Sequence, residues 1–342
     1  MRLPALALAF LPAAALAAPP VVKWEVAAEP GVRVETFATG LAHPWSLAFL
    51  PDGRMLDVAL APDFATSRIL YFSHATGTSE ANATAVSRAR LDGSRLQDVQ
   101  QILRNPRNKR GAQHFGSRLL FLPDNSLLVS IGDGGNPPVQ LDGANIRDQA
   151  QNGRSWFGSV LRVTADGKPA AGNPGKGWDP NVWTIGHRNI QGLARDPKTG
   201  TIWSTEHGAR GGDELNRMTA GANYGWPVVT YSVEYSGRTI TNERSRPGMT
   251  DPVSVWTPST AASGLAVYRG SVLGSLDGAL LAGGLMSQDV RVIRIGADGR
   301  PTRETRIEIG ERVRDVRVGP DGLVYVLTDE PEGKILRIRP QG

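Results

Sequence analysis

Cysteine is absent from all 342 residues, so no disulfide framework exists and the fold must hold together by packing alone, which about 320 residues can do. Apolar runs of membrane-spanning length are also missing. The N-terminal stretch MRLPALALAFLPAAALAA places Arg2 ahead of an apolar run and ends in an A-x-A pattern at Ala15–Ala17, followed by Pro19 and Pro20. It is shorter than the roughly 20 apolar residues a spanning helix needs and reads as a cleaved secretory signal over residues 1–18. Residues 19–342 then form one exported domain, for which a bacterial periplasm is the natural compartment. Blocks of like charge are lacking too. Lys and Arg number 38 against 33 Asp and Glu, with a formal net charge of +5, and both signs are scattered. The arginines at Arg88, Arg90, Arg104, Arg107 and Arg110 are not interleaved with aromatics, so the basic pI of about 9.7 describes a solvated surface and no nucleic-acid partner is expected.

Long segments of 3.6-residue periodicity are the last absence, and what stands in their place is a repeated phrase. An apolar alternating stretch, a Pro-Asp-Gly-like turn and a second alternating stretch recur in WSLAFLPDGRML from Trp45, SRLLFLPDNSLLVSIGD from Ser117, GLARDPKTGTIWSTEHG from Gly192 and VRDVRVGPDGLVYVLTD from Val313. DVALAPDF from Asp57 and SLDGALLAGGL from Ser275 are weaker copies. Alternation such as Leu127, Val129, Ile131 marks strands, and six similar hairpin turns in one chain predict an all-β propeller with one turn per blade. A β-sandwich array is the alternative fold. The turns at Asp52 and Asp63 lie much closer together than the roughly 40 residues of a blade. Either one blade is incomplete near residues 50–60, or these two turns share a blade.

The chemistry-bearing residues collect in Gly-rich turns between strands. Of the five histidines, His114 lies in AQHFGSRLLF just ahead of a strand, where a loop at the blade top presents an imidazole to the channel; a turn-capping histidine is the plainer reading. GHRNIQG, from Gly186 to Gly192, puts Arg188, Asn189 and Gln191 between two glycines, a set suited to an anionic, carbonyl-rich ligand as well as to a simple turn. EHGARGGDELN adds Asp213 and Glu214 with backbone carbonyls at glycines, the hard oxygen donors that Ca²⁺ prefers, without EF-hand spacing. In ERVRDVRVGPDG, strand alternation sets Arg312 and Arg314 on one face, toward a polyanionic ligand or toward solvent.

Taken in order, GLAHPWSLAFLPDG, HFGSRL, GHRNIQG, EHGARGGDELNRMTAGANYGWP and RVRDVRVGPDGLVYVLTDE resemble the soluble aldose sugar dehydrogenases that use pyrroloquinoline quinone (PQQ), over nearly the whole mature chain. The resemblance implies a six-bladed propeller that binds PQQ and Ca²⁺ above the channel and oxidises an aldose at C1 to the lactone, passing electrons to an external acceptor. It implies His114 as the general base, a role imidazole suits near neutral pH. Arg188, Asn189 and His207 are implied as cofactor contacts, with Arg312 and Arg314 facing the PQQ carboxylates. Gly208 and Ala209 would lend backbone oxygens to the catalytic Ca²⁺; Glu214 and the backbone oxygen of Tyr224 would hold a second, structural Ca²⁺. A monomer or homodimer without a membrane span is expected.

Three departures from the family pattern stand out. Leu56 runs straight into Asp57 where the family carries the remainder of its first blade, ending in a GQGGLL-like phrase whose glutamine touches the cofactor. Met286 replaces a basic residue, and Ile190 a proline. A degenerate propeller that binds a ligand or partner without catalysis is therefore the alternative function, and a lactonase-like metal hydrolase a third, although Glu206, Asp213 and Glu214 sit on one loop rather than converging from several.

Overall fold

The computed structural model describes residues 21–22, 26–44, 55–93, 95–137 and 139–341. Strands dominate. Among the described residues the α-helical part is the single turn Phe64–Ser67, with 3₁₀ turns at Ile146–Gln151 and Gly274–Leu276.

Among the described residues five antiparallel sheets form the blades. Blade I runs Met55–Leu60, Ile69–Gly77, Asn82–Asp92, Arg95–Arg104, and blade II Leu119–Phe121, Leu127–Ile131, Ser159–Val163, Val182–Ile185. Blade III is Ile190–Arg195, Ile202–Glu206, Asp213–Met218, Ser254–Trp256, with Val21–Val22 added in parallel at its outer edge. Blade IV is Ala262–Val267, Leu280–Gly284, Asp289–Ile295, Pro301–Glu308. Blade V takes Val313–Val318, Val324–Thr328 and Gly333–Pro340 from the C-terminus and completes itself with Val32–Leu41 from the N-terminus. That pairing ties the two ends of the described chain into one sheet.

The expected hairpin turns occupy one structural position. The turns at Asp63, Asp124, Asp196, Asp277 and Asp321 each join the innermost strand of a blade to its second, one per blade. The sixth turn, at Asp52, lies outside the described residues, as do the signal-like residues 1–18. The sixth blade of the expected ring is not formed among the described residues. The stretch at Met55–Leu60 is the inner strand of a four-stranded sheet, paired with residues 70–74 of Ile69–Gly77 through one irregularity between Met55 and Asp57.

Alternation read along one strand captured only half of its burial. Leu127, Val129 and Ile131 face a core shared with Tyr71, Val86 and Leu103 of blade I, while Leu128 between them faces a second core with Trp183, Ile190 and Leu193. Both faces of a blade are covered by neighbours, so intervening residues are apolar as well. Similar cores join blades III and IV through Leu215, Trp256 and Leu265, and blades IV and V through Leu281, Val292 and Val316.

The seam between blades V and I is built differently. Among the described residues no apolar cluster spans it; blade I offers there a small cluster of its own, Leu70, Phe72 and Ala89. Charges near the axis make the connection instead. Arg317 donates to Asp57 at 2.8 Å and to Asp315 at 2.8 Å. Arg118 of blade II donates to Asp315 at 3.1 Å and reaches Asp57 at 3.5 Å, while its Nε donates to the Gln191 carbonyl of blade III. Asp57 also accepts the Leu119 N–H at 2.9 Å. Four blades thus meet in one buried charge cluster at the centre of the ring.

Candidate active site at one end of the channel

Antiparallel order puts the Asp turns at one end of the blades. At the other end lie the loops from second to third strand and those leading from one blade into the next. The residues singled out above for chemistry are on or beside these latter loops, except that Tyr224 lies in the connection between the third and fourth strands of blade III and packs back against His187.

His114 sits in the irregular segment entering blade II, with φ of +50°. The segment is pinned by Thr84 Oγ1, which donates to the Phe115 carbonyl at 3.0 Å, and by Gly116 N–H, which donates to Asn189 Oδ1 at 3.0 Å. Gly132 passes so close beneath it that a Cβ there would stand 2.1 Å from the His114 carbonyl oxygen, which only glycine allows. The imidazole Nδ1 lies 2.6 Å from Asp133 Oδ1, and the side chains are 10% and 1% exposed. Burial lowers the His114 pKa from its ordinary value; the Asp133 charge opposes this, and the Arg188 and Lys109 charges add to it. The resting imidazole is therefore neutral near pH 7, with Nδ1 committed to Asp133 and Nε2 left as the basic atom.

Asp133 was not read from the sequence. It follows the Leu127–Ile131 strand in SIGDGG, at the same end as His114, and an aspartate before a glycine pair there is the one signal that could have marked it. It accepts from Gly135 N–H at 3.0 Å and from Trp226 Nε1 at 2.8 Å.

Arg188 is buried and central. Its Nη1 donates to the carbonyls of His207 and Gly208 at 3.1 and 2.6 Å, and its Nη2 to Asn136 Oδ1 at 2.9 Å. Its guanidinium lies 5.5 Å from the Trp226 ring. Asn189 serves the His114 segment through its side chain and accepts the His207 N–H on its carbonyl at 3.2 Å. His207 is pushed down to about 3, by burial first and then by the Arg188, Arg314 and His114 charges. Arg312 and Arg314 do share a face: both donate to Asp329 Oδ2, which neutralises part of their charge, and His43 reaches the other oxygen at 3.2 Å.

Behind Arg188 lies an acidic pocket of the fold. Glu206 accepts the Arg188 N–H and His187 Nδ1 at 2.9 Å, and pairs in register with Glu214. Glu214 is pushed up to about 8, by burial and then by the Glu206, Asp213 and Asp251 charges. Tyr224 donates its hydroxyl to the Arg217 carbonyl at 2.7 Å and stacks on His187 at 4.7 Å. Gly208 is held by Asp213 Oδ1 at 2.9 Å and Ala209 by Ser232 Oγ at 3.0 Å; a Cβ on Gly208 would meet the Gly211 oxygen at 2.2 Å. Among the described residues no group of three or more His, Cys, Asp or Glu side chains forms a metal cage. Met286, 56% exposed, lies at the same end.

Comparison with known proteins accords with this geometry. The glucose/sorbosone dehydrogenase family model matches residues 53–337. The aldose sugar dehydrogenase YliI of Escherichia coli is 34% identical over 92% of this chain and 95% of its own, and an uncharacterised Synechocystis protein, slr1608, is 45% identical over 91% and 87%. The apo crystal structure of the E. coli enzyme superposes with a TM-score of 0.81 over 91% of this chain and 100% of that one. A PQQ-bound aldose sugar dehydrogenase from Streptomyces coelicolor, 26% identical, gives 0.69 over 92% and 100%. The propeller, its loop-borne site and these likenesses together show that the chain belongs to the glucose/sorbosone dehydrogenase family.

Proposed function

We propose that the chain oxidises aldose sugars at C1 to the lactone with PQQ and Ca²⁺, passing electrons to an external acceptor. The observation that carries this reading is the buried His114–Asp133 pair beside the Arg188 cation. Asp133 holds Nδ1, so that Nε2 of His114 takes the proton of the sugar C1 hydroxyl, and its negative charge steadies the imidazolium that results.

The residues present fit the cofactor. Arg188 Nε and His207 Nε2 are shielded and have no hydrogen-bond partner among the described residues; a carboxylate- and carbonyl-rich ring offers acceptors that would relieve this cost. Arg188, Asn189, His207, Arg312 and Arg314 would hold PQQ, the two arginines of blade V by exchanging part of their contact with Asp329. Gly208 and Ala209 would give carbonyl oxygens to one Ca²⁺, and for Gly208 this requires Arg188 to release it. Glu214, with the Tyr224 backbone oxygen, would hold a second, where a divalent cation relieves the crowding with Glu206. When bound, PQQ supplies a two-electron acceptor and Ca²⁺ a Lewis acid that polarises it.

The ring is read as a descendant of a six-bladed one that has lost most of a blade. The alignment to the E. coli enzyme runs over 362 positions while taking in 92% of this chain, so the relative carries additional residues roughly equal in number to one blade. Residues 1–18 direct export to the periplasm, and 19–342 act as one domain, as a monomer or homodimer. No helix among the described residues is long and apolar enough to cross a membrane. The alternative, a non-catalytic binding propeller, is favoured by Met286, which brings no charge where a cation would meet the cofactor.

The test is glucose-dependent reduction of an artificial acceptor by purified protein titrated with PQQ in excess Ca²⁺. Activity that appears with PQQ and disappears in His114→Ala supports the dehydrogenase. Activity equal in the variant removes His114 from its role, and none at all in a folded, PQQ-bound protein favours the binding propeller.

A further inference from the structure

We propose that Trp226 is a positioning residue for the base: its indole N–H fixes the Asp133 carboxylate that orients His114. The inference rests on the dehydrogenase reading for its catalytic meaning, but its geometry is independent of any cofactor. Asp133 Oδ1 is shared by His114 Nδ1 at 2.6 Å and Gly135 N–H at 3.0 Å, whereas Oδ2 is held by Trp226 Nε1 at 2.8 Å. With Oδ1 and Oδ2 both engaged, the carboxylate plane cannot turn, and the imidazole bound to it keeps one tautomer and one orientation.

The indole is itself fixed. Its backbone N–H donates to the Gly186 carbonyl at 3.0 Å, and its carbonyl accepts Gln151 Nε2 at 2.7 Å. Two guanidinium groups lie near the ring, Arg188 at 5.5 Å and Arg147 at 5.7 Å, within cation–π range. Arg147 is anchored in turn by Glu234 at 2.7 Å. Trp226 therefore touches both the base pair and the central cation of the site, across a sequence separation of 93 residues from Asp133.

The experiment compares Trp226→Phe with the wild type. Phenylalanine keeps the aromatic face toward both arginines and removes only the N–H. The first readout needs no cofactor: the low-field proton resonance of the His114 Nδ1–H in cofactor-free protein, identified by its loss in His114→Ala, should move upfield or broaden in Trp226→Phe. The second is kinetic. The turnover number should fall roughly 10- to 100-fold, the effect of losing a hydrogen bond to a charged group, with KM for the sugar little changed and the acid limb of the pH profile moved to lower pH, because burial of His114 is then less opposed by Asp133. Trp226→His, which keeps a ring N–H, should recover part of both signals and replaces the Phe variant should that one melt early. An unchanged proton resonance and pH profile in a folded Trp226→Phe protein overturns the proposal. A shifted resonance in a protein whose wild type never reduces an acceptor leaves the geometry standing and overturns the dehydrogenase reading instead.

Discussion

At the residue scale, the site depends on groups that are individually ordinary and jointly constrained. Asp133 is the clearest case: Asp133→Asn keeps the shape, removes the charge that steadies imidazolium, and should lower turnover by roughly 10²- to 10⁴-fold while PQQ binding, read by calorimetry, is retained. Lys109, beneath the His114 segment, gives a pH prediction. Its Nζ donates to the Gly111 carbonyl at 2.8 Å and lies 4.0 Å over the Phe115 ring, and burial lowers its pKa from 10.5 to about 8. Between those values the unfolded chain holds more protons than the folded one, so this group's contribution to stability rises with pH there and is lost as pH falls through 8. The stability difference between wild type and Lys109→Met, from urea unfolding, should therefore grow from pH 8 to 10.5; a flat difference contradicts the assignment. His114 and Arg188 stood out in the sequence because each sits in a polar, Gly-rich turn, and Arg312 and Arg314 because strand alternation sets both on one face. Asp133 and Trp226 were not, because a carboxylate and an indole distant in the chain give no local pattern that announces their contact.

At the element scale, strands supply the frame and loops the chemistry. The recurrent Asp turns proved to be one device repeated at the end opposite the site, and their regularity made the propeller readable. The inner strands carry the less visible feature. Asp57, Arg118 and the pair Asp315 and Arg317 are scattered through three motifs that the sequence presents as alternating strands, yet the fold gathers them at the axis. Removing one member strands buried charge, so Asp57→Ala should cost about 3–5 kcal/mol of unfolding free energy, measured by urea denaturation. A cost below about 1 kcal/mol, the range of a surface pair, would show that the cluster does not hold the seam.

At the scale of the whole molecule, blade number is where sequence and structure part most instructively. The short spacing between the Asp52 and Asp63 turns pointed to a damaged sixth blade; the described residues form five sheets, with Asp57 of blade I bonded directly to Arg317 of blade V. Local alternation reports a strand's faces but not how many sheets the ring will hold, since that depends on how inner strands meet across the axis. Among the described residues the seam lacks the apolar core found at the other four interfaces, while the loops bearing His114, Arg188 and His207 belong to blades remote from the loss or joined to it by ordinary packing. The site should therefore survive the missing blade. Calorimetric titration of the purified chain with PQQ, with and without Ca²⁺, tests this most directly: one PQQ per chain, bound in the presence of Ca²⁺ and weakened at least 10-fold by Arg188→Ala, is the predicted result, and a protein that unfolds cooperatively on heating yet takes up no PQQ at any Ca²⁺ concentration would contradict it.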